Sequence, residues 1–130
     1  MNPDDININR LGSYKDAPWP DEHIVHEDEN LVVYKDGYPV TEGHLLFVPK
    51  KNDVNHVSEA YKLAFYCGEQ WIKEGKMDGF NIGQNIGKAA GQSIMWPHVH
   101  LIPRHKGDSD PKQHNGVRLS APNGHHINEY

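Results

Sequence analysis

A chain of 130 residues has the length of one domain, and 36% hydrophobic with 24% charged residues is the balance of a globular protein at the polar end of the range. A formal net charge of -5 gives no electrostatic reason to expect nucleic acid or an anionic membrane surface as a partner. No apolar run approaches the roughly 20 residues of a membrane span, the acidic Met1-Asn2-Pro3-Asp4-Asp5 is not a signal peptide, and a lone Cys67 excludes an internal disulfide or a cysteine-built zinc site, so the expected compartment is the cytoplasm.

Residues 1–20 have little periodicity and end in Pro18-Trp19-Pro20; they read as a loose arm whose Trp19 docks onto a domain at 21–110. Two short strands are expected at His23–Glu27 and Leu31–Lys35, separated by the polar Asp28-Glu29-Asn30 turn. Asp36-Gly37 signals another turn, and Leu45-Leu46-Phe47-Val48 forms the heart of a third strand that Pro49 ends. Ser58 reads as the N-cap of one long helix, Glu59 to Glu74, with Gly75 as its C-terminal cap. Its apolar stripe is Tyr61, Ala64, Phe65, Gly68, Trp71 and Ile72. A fourth strand is expected at Gly79–Asn85, a glycine-rich loop at Gly87–Gly91 and a last strand at His98–Arg104. Residues 111–130 read as an irregular extension. One helix among antiparallel strands makes the expected class α+β.

The chemistry concentrates in the last strand. Side chains alternate along a strand, so His98 and His100 point the same way, just after a glycine-rich loop. Imidazole is the side chain best suited to proton transfer and nucleophilic attack near neutral pH. Gly83, Gly87 and Gly91 let backbone N–H groups approach an oxyanion. Tyr34, Val32 and Ile24 could line an apolar slot for a nucleobase.

Three blocks carry a resemblance to a known family. Asp36-Gly37-Tyr38-Pro39-Val40-Thr41-Glu42-Gly43-His44, continued by Leu45 to Lys51, looks like the first conserved block of the histidine triad (HIT) nucleotide hydrolases and transferases. Asn85-Ile86-Gly87-Lys88-Ala89-Ala90-Gly91-Gln92-Ser93 resembles that family's phosphate loop, and Pro97-His98-Val99-His100 its histidine motif. Gly116-Val117-Arg118 resembles a feature of small bacterial members. The resemblance implies a five-stranded antiparallel sheet with one helix, in a homodimer. It also implies a catalytic set of His98 as nucleophile, His100 on the phosphate and leaving-group side, and His44 as its support. Asp36 would accept the ribose hydroxyls, with Asn85, Gln92 and Ser93 at the phosphate or bridging atom. The implied activity is cleavage at the α-phosphate of purine nucleotide derivatives (phosphoramidates, nucleotidyl esters or dinucleoside polyphosphates) through a nucleotidyl-histidine intermediate. A non-catalytic nucleotide-binding protein and a nucleotidyltransferase are the alternatives.

The chain departs from the family pattern at Trp96, where the first of three alternating histidines is expected. An indole donates but cannot accept or carry a proton. Trp96 is therefore either a packing residue beside the site or a platform for substrate. Asp36, Asn85, Gln92 and Ser93 also have plain roles as turn and loop formers. A zinc site of His44, His98 and His100 is the rival chemistry; no carboxylate or thiolate reads as placed to complete it. No cofactor or resident metal is expected, beyond a divalent ion carried in by a polyphosphate substrate.

Overall fold

The computed structural model describes residues 11–108. Its centre is a pair of strands that are apolar at almost every position, β2 (Leu31–Lys35) and β3 (Leu45–Pro49). A strand buried on both faces needs a cover on each side, and the chain supplies two different ones. Leu31, Val33, Leu45 and Phe47 face the helix α1 (Val54–Lys73), together with Val99 and Leu101. Val32, Tyr34, Leu46 and Val48 face the other way, under Trp96 and a strap formed by Leu11, Tyr14 and Trp19.

The sheet adds β1 (Ile24–Glu27) at one edge, and β5 (Val99–Arg104) and β4 (Gly79–Gly83) on the other side. All pairings are antiparallel, in the order β1-β2-β3-β5-β4. The five strands and the helix lie close to their sequence positions. The helix differs at its start: Asp53 is the N-cap, accepting from the His56 N–H at 2.8 Å, so Ser58 lies inside the helix rather than before it. At the other end Gly75 has φ +74, and Lys76 N–H donates to Trp71 O and Gly75 N–H to Ile72 O, the paired bonds of a glycine-capped helix end.

The buried stripe of α1 is also rotated from the expected one. Ala60, Ala64 and Gly68 lie against the sheet, with Tyr61, Leu63, Cys67 and Trp71 flanking them, while Phe65 is 55% exposed and Ile72 36%. Small residues at the contact let the helix axis approach the strands closely. A Cβ at Gly68 would meet the Phe80 ring at 2.5 Å.

Residues 11–20 do not hang free. Leu11 N–H donates to Met95 O at 2.7 Å, and Ser13 caps a 3-10 turn at Tyr14–Asp16. The extension at 111–130, including Gly116-Val117-Arg118, lies outside the described residues.

Candidate active site

The parity of the central strands decides which side chains meet. On β5, Val99 and Leu101 face the helix, so His98 and His100 face the strap side. On β2, Val32 and Tyr34 face the strap side, and Asp36 continues that parity past the strand end. His44 sits just before β3 and joins them. A cleft of about 490 Å³ opens here, within the range of small-molecule sites. His98, His100, Asp36 and Ser93 line one part of it; Pro18, Trp19, Pro20 and His23 line the wall supplied by the strap.

Each histidine has a defined proton. His98 is 7% exposed, and its Nδ1 lies 2.7 Å from Trp96 O. A carbonyl only accepts, so Nδ1 carries the proton and Nε2 keeps its lone pair. The Val40 N–H donates to His44 Nδ1 at 3.1 Å, which places the His44 proton on Nε2. That nitrogen lies 2.9 Å from His100 Nδ1 and 3.3 Å from Asp36 Oδ2. His100 Nδ1 therefore accepts, and its proton sits on Nε2, the nitrogen turned away from His44. The chain of donors runs Val40, His44, His100, with the Asp36 carboxylate beside the middle link.

Burial disfavours the charged imidazolium at all three positions. It lowers the His98 pKa, against the opposing pull of the Trp96 carbonyl and Asp36. It lowers that of His44, with Asp36 again opposing. His100 falls to about 4, through burial first and then the neighbouring His98 and His44. The site therefore holds neutral imidazoles near neutral pH.

Other expected site residues lie elsewhere. Tyr34 is 4% exposed and Val32 1%, so neither forms an open slot; the Trp19 indole covers Tyr34 at a ring separation of 5.6 Å. Trp96 is 4% exposed and is absent from the cleft wall; its indole donates to Pro49 O at 2.8 Å in the core. Of its two readings, packing is the one that fits, because the ring is turned away from the cleft. Gln92 spends its side chain on the loop: Oε1 accepts from Gly87 N–H at 2.7 Å and Nε2 donates to Ile94 O at 2.9 Å. It thereby ties a loop whose Gly87 and Gly91 have φ of +87 and +89. Asn85 is half-buried and does not line the cleft. Sequence reasoning missed Trp19 and His23 as cleft residues, although the Pro18-Trp19-Pro20 run marked a rigid aromatic.

A helix-backed antiparallel sheet with one histidine on its fifth strand and a same-face histidine just before it, beside a glycine-bent loop, defines a class of small nucleotide-handling domain. The HIT domain pattern matches residues 19–107, and the chain belongs to the HIT family, whose members are in general nucleotide-binding hydrolases and transferases. It is 34% identical over 93 residues to an uncharacterized HIT-like protein of Methanocaldococcus jannaschii, covering 67% of this chain and 72% of that one. It is 33% identical over 96 residues to the Bacillus subtilis protein named hit, covering 65% and 63%. Among solved structures it resembles a zinc-bound histidine triad family protein of Mycobacterium smegmatis, at TM-score 0.61 and 31% identity over 68% of this chain and 73% of that one. It also resembles a hypothetical histidine triad nucleotide-binding protein of Sulfolobus tokodaii, at TM-score 0.58 and 29% identity over 81% and 76%.

The zinc-bound relative bears on the metal expectation, whose premise needs correction. A carboxylate does stand by the histidines: donor atoms of Asp36, His44 and His100 lie within 4.8 Å of one another. A cation there would need a lone pair on His44 Nε2. The Val40 N–H fixes the proton on that atom, so the three residues as arranged do not fit a resident metal.

Proposed function

We propose that the protein hydrolyses purine nucleotide derivatives at the α-phosphate through a nucleotidyl-His98 intermediate. The observation that carries this reading is the hydrogen bond from His98 Nδ1 to Trp96 O, which leaves the Nε2 lone pair for the cleft. Nε2 attacks the α-phosphorus, a P–N bond forms, and the bond to the leaving group breaks with its electron pair. Water then attacks the same phosphorus, its proton replacing the one passed to the leaving group, the P–N bond breaks, and nucleoside monophosphate leaves with neutral His98 restored. His100 Nε2–H would donate to the bridging atom, with the His44 N–H at its Nδ1 offsetting the negative charge that builds on His100, while Asp36 would favour the positive charge that His98 gains on bonding phosphorus. Ser93 lines the cleft and would donate to a phosphate oxygen. Asp36 would accept from the ribose hydroxyls. A phosphate in place of water would turn the same intermediate into nucleotidyl transfer.

Intact-protein and peptide mass spectrometry of the protein mixed with adenosine 5′-phosphoramidate tests this. The expected result is release of AMP with an acid-labile adenylyl group trapped on the peptide containing His98. His98→Ala should lose at least about 10³-fold in turnover. Most of the activity surviving in His98→Ala would exclude the mechanism.

We also infer a homodimer. The outer face of α1 shows Tyr66 at 60% and Phe65 at 55% exposure, beside the edge strand β4. Light scattering should give twice the chain mass, and a Phe65→Glu, Tyr66→Glu double variant should give one.

A further inference from the structure

We infer that Thr41 is a positioning residue for protonation of the leaving group: its hydroxyl anchors the β2–β3 loop on β5 and thereby holds the Val40 N–H that keeps the His44 proton on the His100 side. This rests on the hydrolase reading above and adds to it a residue that does not line the cleft. β3 begins at Leu45, opposite Leu101, so residues 102–104 of β5 run past the end of their neighbour on that side. Successive carbonyls of a strand point to opposite sides. Arg104 O faces β4, where it accepts from the Asp78 N–H at 2.9 Å. Pro103 O therefore faces the gap beyond β3, and proline has no N–H to satisfy there. Pro103 is buried, and a buried carbonyl needs a donor. The Thr41 hydroxyl supplies it at 2.6 Å, across 62 positions of sequence.

The anchored loop presents its backbone to His44. Thr41 O accepts from the His44 N–H at 3.2 Å, Asp36 N–H donates to His44 O at 3.0 Å, and Val40 N–H donates to His44 Nδ1 at 3.1 Å. The turn from Thr41 to His44 carries Gly43 at φ +88, and a Cβ there would meet Pro103 Cγ at 3.4 Å. The loop thus meets Pro103 at two points, a polar one at Thr41 and a close one at Gly43. A neutral imidazole carries one proton, and a donor held at one nitrogen sends it to the other. If the Val40 N–H drifts from Nδ1, the His44 proton is free to move there, and Nε2 becomes an acceptor. Two acceptors would then face each other across the 2.9 Å to His100 Nδ1, unless His100 takes its own proton on that atom. Either outcome costs the arrangement in which His100 Nε2 holds a proton for the leaving group. One backbone N–H sets the tautomers of both histidines, and Thr41 holds the loop that carries it.

The test compares the full chain with Thr41→Val, which removes the hydroxyl at similar shape, and Thr41→Ser, which keeps it. Long-range nitrogen–proton correlation spectra of the imidazoles read the tautomers without any ligand. The wild type and Thr41→Ser should show the His44 proton on Nε2, and Thr41→Val should show much of it on Nδ1. The single-turnover rate of His98 adduct formation is then measured with two substrates. Adenosine 5′-phosphoramidate has an amine leaving group that needs a proton; the p-nitrophenyl ester of AMP releases a phenolate that does not. Thr41→Val should slow the phosphoramidate at least about tenfold, part of the roughly 10²–10⁴-fold that a positioned acid supplies, and the ester less than about twofold. Thr41→Ser should match the wild type on both. An unchanged His44 tautomer in Thr41→Val, equal losses on the two substrates, or a Thr41→Ser protein that behaves like Thr41→Val would overturn the inference. So would a Thr41→Val chain that fails to fold, since the hydroxyl would then hold the fold and not His44 in particular. A wild type that forms no adduct would overturn the hydrolase reading instead, while the spectra still decide whether Thr41 sets the His44 proton.

Discussion

The carbonyl oxygen of Trp96 lies 2.7 Å from Nδ1 of His98, so the backbone of Trp96 fixes the proton of its neighbour two positions on. The same residue is held by its other end, the indole N–H donating to Pro49 O at 2.8 Å across to β3. The orientation of His98 therefore rests on a backbone carbonyl that the Trp96 side chain holds in place. Trp96→Phe keeps the ring but leaves the Pro49 carbonyl without its donor, and should cost about 1–3 kcal/mol of stability. Denaturant unfolding would measure this. The variant should still form the His98 adduct, because the carbonyl is a backbone group. Loss of the adduct in a folded Trp96→Phe protein would show that the indole contributes directly to the chemistry.

Asp36 has two partners competing for one carboxylate. Oδ1 accepts from the Tyr38 N–H at 2.7 Å and shapes the turn, while Oδ2 faces His44 at 3.3 Å. Gripping a ribose diol would use the same group. Asp36→Ala should weaken ribonucleotide binding by about 1–3 kcal/mol and a 2′-deoxy analogue much less. Asp36→Asn keeps the turn acceptor but removes the charge beside His44, so it should also slow turnover of both sugars. Equal binding losses for ribose and deoxyribose in Asp36→Ala would assign the residue to the histidine network alone.

Zinc provides a third test, through the tautomer of His44. With its proton on Nε2, the Asp36-His44-His100 group offers two donor atoms and an N–H in place of the third. Tag-free protein dialysed against zinc should retain well under one equivalent by elemental analysis, and a chelator should leave adduct formation unchanged. A retained equivalent that is lost in His44→Ala would require the imidazole to rotate and give up the Val40 bond.

Much of the fold was legible because it is written in local patterns. The alternation around Val99 and Leu101 set His98 and His100 on one face, and the apolar runs at 31–34 and 45–48 were plainly strands. The start of the helix was not, since both Asp53 and Ser58 are cap-forming residues and the choice rests on which one accepts a backbone N–H, here Asp53 from His56. Tyr34 looked available for a base because strand parity gives the face a residue points to, not what covers it. The cover comes from Trp19, fifteen residues earlier in a segment with no periodicity. Gln92 illustrates the same limit: its loop position was legible, but whether the amide turned toward the cleft or back to Gly87 depends on the φ values of two glycines.

The buried neutral histidines predict how stability responds to acid. The His100 pKa falls from an ordinary 6.5 to about 4 in the folded chain, and those of His44 and His98 are also lowered, all chiefly by burial. Between these values the unfolded chain binds more protons than the folded one, so stability rises with pH in that window and is lost as pH falls from about 6.5 toward 4. For His100 alone the full loss is about 3 kcal/mol, on a side chain that is 23% exposed. Thermal unfolding between pH 4 and 8 should show a plateau above about 6.5 and a decline below it. His100→Gln should flatten the decline, since the replacement does not titrate. A pH profile for His100→Gln that matches the wild type would show that acid sensitivity arises elsewhere in the chain. Adduct formation should persist somewhat below the ordinary histidine range, because the lowered His98 pKa keeps Nε2 unprotonated there.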